Sequence, residues 1–555
     1  MEVYELIRAQ NLSAVVLAAS DKGSYYTSFQ SAGYLSVILS SLLFLQFFIK
    51  WYRSGKNVAK SESGVDGVLG IESIPGPKPF FISYIGCAFN FLPLSETLNK
   101  TLTWYKKYGP CMYVAAANRK GILVYSAELA QSFLKSGDFG HVSKEGMPFY
   151  DIMRPFLGNG LLISEGEYWQ KRRKILMRSM NFQSLRSYTK LLNKHSKRFV
   201  QSLEELFKDN EEHPINVQIN SSFLAIITEI LTGSDIQDMS QVAQYHHEFQ
   251  TWKECLLTRI EKPWFLVDLL WKLHPRAKEH DNAIASMNSF AKQRIKEQRL
   301  RRVSTSTPKE ETRVEDNNSE ECRCTLDELM DAGVSDEEIV HEINTLLFGG
   351  HETTATTIHF FFFLMALHPQ FQELCRKEID SVFEDPSQLT IDGSSLTFEA
   401  LGILKYVERC ILETMRLLPV AFGFMRNLKT SLNIEYEGKQ VEVPAGACVL
   451  IVPWVIHRNP EHYPDPERFE PDRFLPEECA KRHPYAYLPF SAGPRNCIGL
   501  KFGMNEMKTV AAYVLRNFVL STSDKLEDIV LLPNITLTPE RDYNFYLKKR
   551  EIREL

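Results

Sequence analysis

Apolar and polar positions divide this chain into stretches of different character. Residues 25–49 carry no charge, and 33–49 (GYLSVILSSLLFLQFFI) are strongly apolar. About eighteen helical residues span about 27 Å, close to the hydrocarbon thickness of a bilayer. Lys50, Trp51, Tyr52, Arg53 and Lys56 follow at once, the mixture of cations and aromatic rings that marks a membrane interface. The pattern predicts one transmembrane helix over 32–50, preceded by a tail over 1–31. The cations lie on the C-terminal side of the span, so the positive-inside rule places the tail in the lumen and the body in the cytoplasm. A polar stretch and the run Pro75-Gly-Pro77-Lys-Pro79 then make a linker and stiff extended hinge over 51–79.

From residue 80 to 555 the pattern reads as one large folded body. Amphipathic helical periodicity is clearest over 101–108, 184–207 and 283–302, with short strand-like runs at 112–115 and 121–125. The stretch 303–321 is strongly polar and reads as an exposed loop. A further helix is predicted over 335–367, opened by the capping signature of Ser335 with Glu337 and Glu338 and closed at His368-Pro369. Its apolar second half is long enough to raise the question of another membrane span. His351 and Glu352 argue instead for a buried helix crossing the core, because a charge in mid-bilayer is costly. Helices at 371–383 and 398–418, strands and turns through Val452, and a last helix over 500–515 complete the reading. The fold class is mainly α with minor β, an α+β body.

Composition narrows the function. The net charge is −5 and no basic domain stands out, so nucleic acid is not an expected partner. The ten cysteines form no regular framework, which fits a reducing compartment. Cys322-Arg-Cys324 has no histidines beside it, and a zinc site is not expected there.

Two segments carry chemistry. In Gly349-Gly350-His351-Glu352-Thr353-Thr354, two glycines inside a helix each cost about 1 kcal/mol relative to alanine, so the helix there admits close approach or a local opening. The acid and hydroxyl that follow can relay protons. In Phe490-Ser-Ala-Gly493-Pro-Arg495-Asn-Cys497-Ile-Gly499, one cysteine lies in a tight turn just before a helix, where turn N–H groups and the helix's positive end favour a thiolate and a metal–sulfur bond.

The spacing Phe-x-x-Gly-x-Arg-x-Cys-x-Gly resembles the haem-binding loop of the cytochrome P-450 monooxygenases, and the glycine–acid–threonine helix resembles their oxygen-activation motif. The resemblance implies the cytochrome P-450 fold behind a single transmembrane helix, with haem b as cofactor and the Cys497 thiolate as axial ligand. It makes Thr353 the hydroxyl that hydrogen-bonds dioxygen and Glu352 the acid that helps deliver protons. Trp169, Arg173, Arg426 and Arg495 become partners of the haem propionates, and Phe490 part of the haem loop. Glu413, Arg416 and Arg473 become a buried structural network behind that loop. Of the neighbouring Lys171, Arg172 and Lys174, a solvated face or a basic patch for an acidic electron donor is expected.

The segment 482–490 and Met504-Asn-Glu-Met-Lys508 look most like the fatty-acid ω-hydroxylase branch, family 4. Much of that branch has a haem-esterified glutamate where this chain has Gly349, so that ester is impossible here. The resemblance implies a monooxygenase in the endoplasmic reticulum membrane, taking electrons from NADPH through cytochrome P-450 reductase, with cytochrome b5 as a second donor, and acting on a fatty acid, related lipid or xenobiotic. Residues 146–162 and 419–424 are the expected pocket walls. Two rival readings stand beside it: a haem-thiolate isomerase or dehydratase acting on a peroxide, and a non-catalytic haem- or lipid-binding membrane protein.

The orientation has a direct test. Asn11 heads a sequon on the lumenal side, whereas the sequons at Asn99 and Asn534 lie in the body. A glycosidase-sensitive mass shift is expected to map to Asn11 and not to Asn99 or Asn534.

Overall fold

The computed structural model describes residues 68–77, 91–116, 119–135, 142–236, 239–306 and 323–551. The expected tail, membrane helix and Asn11 lie outside the described residues. Among the described residues, no helix is long and apolar enough to cross a membrane.

The helices that position the site are α1 (Leu94–Tyr108), α2 (Ala127–Leu134), α3 (Gly166–Leu176), α4 (Phe182–Leu206), α5 (Asn216–Thr232), α6 (Met239–Glu261), α7 (Arg276–Ser306), α8 (Asp336–Leu347), α9 (Thr353–Leu367), α10 (Pro369–Glu384), α11 (Lys405–Leu417) and α12 (Leu500–Asn517). Helices α8 and α9 are one continuous central helix, joined through a π-helical turn at Phe348–Glu352. Its start is the expected capping box. The Ser335 hydroxyl accepts from the Glu338 N–H at 3.4 Å, and the Glu338 carboxylate accepts from the Ser335 N–H at 3.3 Å. Phe360, Phe361, Phe362 and Phe363 are all fully buried, so α9 is apolar all round because protein surrounds it.

The sheets are small and peripheral. β1 (Leu69–Gly70) pairs in parallel with β8 (Lys439–Val443), itself antiparallel to β7 (Leu432–Tyr436). The largest sheet has the order β2-β3-β9-β6-β4, formed by Cys111–Ala116, Arg119–Val124, Cys448–Ile451, Phe424–Leu428 and Val142–Ser143. β10 (Phe518–Ser521), β13 (Asn544–Lys549) and β5 (His213–Pro214) form a third sheet, and β11 (Leu531–Pro533) with β12 (Leu537–Pro539) a hairpin. Within the expected linker, Ile71 and Ile74 are buried with the strand residues Ile122 and Val441, so the folded body reaches back at least to Leu69. The mainly helical α+β reading holds.

Several expected elements change at their ends, each for a tertiary reason. Helix α7 continues to Ser306, into the stretch read as loop, because Arg299 and Arg302 find Asp336 and Asp331 across from it. The helix expected over 398–418 breaks at Leu404 into Phe398–Ile403 and α11. Leu404 is fully buried. The new N-terminus is capped by the Glu378 carboxylate of α10, which accepts from the Tyr406 and Val407 N–H groups at 2.7 and 2.9 Å.

Behind the cysteine loop, Glu413 and Arg416 of α11 are fully buried and joined by two hydrogen bonds of 2.6 and 2.8 Å. Arg416 also donates to the carbonyls of His457, Pro466 and Arg468. Glu413 accepts from the Glu470 N–H at 2.8 Å and lies 3.5 Å from the Arg473 Nε. Burial pushes the Glu413 carboxyl up, and Arg416 pulls against it. The charges of this network answer one another inside the core, and deleting one would leave an uncompensated buried ion at about 3–5 kcal/mol.

The two glycines of the π turn differ. A Cβ on Gly350 would lie 2.8 Å from two carbons of Ile227 on α5, whereas one on Gly349 meets nothing within 4 Å. Gly350→Ala is expected to lower the thermal midpoint, net of helix propensity by about 1 kcal/mol. Gly349→Ala is expected to leave the midpoint unchanged or raise it by up to about 1 kcal/mol. Parallel melts of the two variants check the pair.

Candidate active site

One strip of the central helix is open although the helix is otherwise buried. Gly349 is exposed, and Gly350, Thr353 and Thr356 are half-buried. Their spacing places them on one face, so accessible surface in mid-core marks an internal space. The Thr353 hydroxyl lies on this strip and donates to the Gly349 carbonyl at 2.7 Å. Glu352 does not share the opening, being only 3 % exposed.

Cys497 sits on a loop held from several sides. Its N–H donates to the Phe490 carbonyl at 2.9 Å, and the Asn496 N–H donates to the Gly493 carbonyl at 3.1 Å. Gly493 has φ +71°, and a Cβ there would sit 2.1 Å from the Leu134 carbonyl oxygen at the end of α2. Only glycine allows that approach. The Cys497 thiol has accessible surface although protein surrounds it on all sides, so its open face looks into an interior space. Helix α12 starts three residues later and packs on the central helix, where a Cβ at Gly503 would lie 3.1 Å from Thr354. The two motifs, far apart in the chain, thus adjoin.

The expected lowering of the thiol's pKa is outweighed by burial. Burial pushes the Cys497 thiol up, while the Gly499 N–H and Arg173 pull it down. The protein loop alone therefore favours the thiol, and a bound metal cation is what stabilises a thiolate there.

Cations gather beside this space. Arg495 stacks over the Trp169 ring at 4.1 Å, donates to the Ser164 carbonyl at 2.8 Å and lies 3.1 Å from Glu165. Its Nη1 is buried without a hydrogen-bond partner, as is the Nε of Arg426, a residue 3 % exposed. Lys144 joins them, donating to the Leu162 carbonyl at 2.8 Å. Burial pushes the Lys144 ammonium well below its usual range, helped by Arg426 and Arg495. Burial likewise brings Arg495 down to about 10, with Glu165 opposing and Arg426 assisting. Three cations facing Glu165, with two unanswered donor nitrogens, form a site for an anion.

Arg173 reaches the cysteine loop itself. It donates to the Asn496 carbonyl at 3.0 Å and side-chain oxygen at 2.6 Å, bracing the cysteine loop from α3. Trp169 is buried, with the Arg495 guanidinium 4.1 Å and the Arg173 guanidinium 5.6 Å from its ring centre. Arg172 departs from the solvated-face reading. It is 5 % exposed and pairs across to Glu342 of the central helix at 3.3 Å. Lys171, Lys174 and Arg178 remain exposed. Lys144 had no motif to announce it: a lysine in Ser-Lys-Glu reads as surface until β4 pairs with β6 and brings it to Arg426.

These residues fit an iron porphyrin. There is a thiol that opens inward, a glycine-lined helix strip facing empty space, and a cationic cluster with spare donors for two carboxylates. Expected wall residues Met147, Met153, Phe156 and Val420 are buried in the main hydrophobic core.

A cytochrome P450 family model matches residues 75–545. Cytochrome P450 4c3 of Drosophila melanogaster is 32 % identical over 489 residues, covering 85 % of this chain and 88 % of its own. Cytochrome P450 4V2 of Homo sapiens is 32 % identical over 440 residues, covering 78 % of this chain and 81 % of its own. Cytochrome P450 4c21 of Blattella germanica is 29 % identical over 493 residues, covering 86 % and 94 %. With the helical fold and an inward-facing thiol already in place, these likenesses are decisive: the chain belongs to the cytochrome P450 family, a haem b monooxygenase whose relatives include family 4 members.

Proposed function

We propose that this protein is a membrane-bound monooxygenase that hydroxylates a C–H bond of a fatty acid, related lipid or apolar xenobiotic, with electrons from NADPH through a reductase. The observation that carries the reading is the open strip at Gly349 and Thr353, set beside a loop whose thiol faces inward. Haem supplies the oxygen-activating chemistry when bound. Cys497 is the residue to ligate its iron, with Phe490 closing the loop beneath.

Lys144, Arg426 and Arg495 would hold the propionates, with Trp169 stacked against the Arg495 guanidinium. Arg173 acts through the loop. The Thr353 hydroxyl faces the open strip, where it can hold a proton close to the reacting oxygen, and Glu352 is the acid from which that proton is renewed. The pair speaks for oxygen chemistry over isomerisation of a peroxide. With Gly349 in place of a glutamate, no side chain fills the strip at that position, so terminal selectivity would rest on the pocket walls at 146–162 and 419–424.

Membrane association rests on two features. The first is the apolar run at 33–49. The second is a surface patch between α6 and α7, where Trp264 (52 %), Leu269 (71 %) and Leu273 (77 %) are exposed together with Val267 and Leu270. Lys262 and Lys272 flank it, exposed. An apolar patch rimmed by cations suits the headgroup boundary of a bilayer. The endoplasmic reticulum is the compartment this implies for a cytoplasm-facing body. Exposed Lys171, Lys174 and Arg178 on one side of α3 and its continuation offer a basic face to an acidic electron donor, a flavoprotein reductase or cytochrome b5.

Cys497→Ser is expected to abolish the red-shifted band of the reduced carbon-monoxide complex and to lower oxidation of a fatty-acid panel at least about a hundredfold, about 2.7 kcal/mol in barrier. Mass spectrometry locates the hydroxyl in the wild-type products. A thiolate-type spectrum that survives in the serine variant refutes the ligand assignment. For the patch, full-length protein in phosphatidylcholine vesicles is expected to lose tryptophan emission to brominated acyl chains. Trp264→Tyr is expected to remove one tryptophan's share of that quenching, and unchanged quenching would place the patch away from lipid.

A further inference from the structure

Helix α7 ends on a group of cations that tie it to its neighbours. Arg299 pairs with Asp336, the first residue of the central helix. Arg301 donates to the Gly233 carbonyl, just past the end of α5. Arg302 pairs with Asp331 of the short helix Thr325–Asp331 and lies 3.9 Å from Asp327. A single turn of α7 thus holds three other elements.

Ser304 stands just beyond this turn. The segment reads Leu300-Arg301-Arg302-Val303-Ser304, with cations three and two positions before the hydroxyl. No other serine or threonine of the sequence has a lysine or arginine at both of those positions. Leu300, Arg301, Val303 and Ser304 are all exposed, so the hydroxyl and its flanks are open to a partner. The hydroxyl donates to the Arg301 carbonyl at 2.7 Å, a bond within its own helix.

The same place is the easiest part of α7 to unwind. The helix stops at Ser306, and the last four carbonyls of a helix have no intrahelical partner. The ion pairs of Arg299 and Arg302 are partly exposed to water, and pairs of that kind contribute little to stability. An enzyme that offers carboxylates in exchange for Asp331 and Gly233 can therefore draw the segment out.

We propose that Ser304 is a phosphorylation site for an arginine-selecting serine kinase, one whose substrate groove is lined with carboxylates, and that the phosphate releases the end of α7 from its neighbours. Arg301 and Arg302 pass from the fold to the kinase, whose carboxylates accept their forked N–H donors. The Ser304 Oγ attacks the γ-phosphorus of magnesium-bound ATP. The Oγ–P bond forms, the bond from that phosphorus to the bridging β,γ-oxygen breaks, and ADP leaves. The hydroxyl proton goes to a carboxylate of the kinase. A cytoplasm-facing body, as proposed above, has ATP on its side of the membrane.

In the product, about −1.5 to −2 charges stand in the last turn of α7, at the negative end of the helix, which disfavours them. Arg301 lies three residues back, on the same face as the phosphate. It turns from the Gly233 carbonyl to the phosphate, and the last turn stays open. The haem loop and the central strip are untouched, so the modification acts on the frame and leaves the ligand in place.

The test uses purified holoenzyme with the catalytic subunit of the cyclic-AMP-dependent protein kinase and magnesium ATP. Peptide mass spectrometry is expected to place about one phosphate per chain at Ser304. Ser304→Ala is expected to lower incorporation at least about tenfold while keeping the reduced carbon-monoxide band. Replacing both arginines, Arg301→Gln with Arg302→Gln, is expected to lower the kinase's kcat/KM at least about tenfold with Ser304 still present. Wild-type protein that takes up no phosphate, or an alanine variant that takes up as much, overturns the site. An unchanged kcat/KM in the double variant overturns recognition through the arginines. Amide hydrogen exchange then compares phosphorylated and unmodified protein, and faster exchange is expected over 299–306 and 325–331. Equal exchange over both segments overturns the release.

Discussion

The packing of α12 on the central helix at Gly503 and Thr354 fixes where the thiol sits. A Cβ at residue 503 would lie 3.1 Å from the Thr354 methyl, so even alanine there would require a shift of a few tenths of an ångström. Every other support of the loop works at the same place. Gly493 lies against the Leu134 carbonyl, Arg173 grips Asn496, and Phe490 receives the Cys497 N–H. Behind it, the His457 ring nitrogen accepts from the Leu488 N–H at 2.7 Å while the His457 carbonyl is held by Arg416. The buried Glu413–Arg416 pair therefore reaches the cysteine loop through one histidine.

Buried charge appears in three different states in this protein. Glu413 with Arg416 is a closed account, each donor met by an acceptor within the fold. The cluster of Lys144, Arg426 and Arg495 is open, with one carboxylate against three cations and two nitrogens unpartnered. A buried donor without an acceptor destabilises the folded chain by about 1–3 kcal/mol. An arrangement of that kind persists where a ligand normally completes it, and the carboxylates of a porphyrin have the charge and geometry to do so. The Lys253–Glu352 pair is a third case, a buried ion pair completed by the Thr536 hydroxyl.

Much of the site was legible in the sequence because its parts are local. The cysteine, its glycines and the following helix occupy one short segment, and the glycine–acid–threonine turn another, so spacing alone carries their chemistry. The core-crossing helix was equally legible, from its capping box to His368, since a run of apolar residues interrupted by His351 and Glu352 admits few other solutions. What spacing could not convey was the different work of neighbours. Gly349 and Gly350 look alike in the chain, but one faces open space and the other Ile227. Arg172 and Arg173 look alike as well, yet one pairs with Glu342 inside the core and the other braces Asn496.

The sequence by itself determined the two motifs that carry the family likeness, the mainly helical class and the order of the main helices, because these follow from residue spacing and periodicity along one stretch of chain. Only the tertiary structure decided which cations share a wall, how Lys144 reaches Arg426, where the helix over 398–418 breaks, and that Lys253 and Thr536 hold Glu352. The physical reason is the same in each case. These contacts join residues from dozens to hundreds of positions apart, and their energies come from burial and unanswered charge, which exist only once the chain has closed around them.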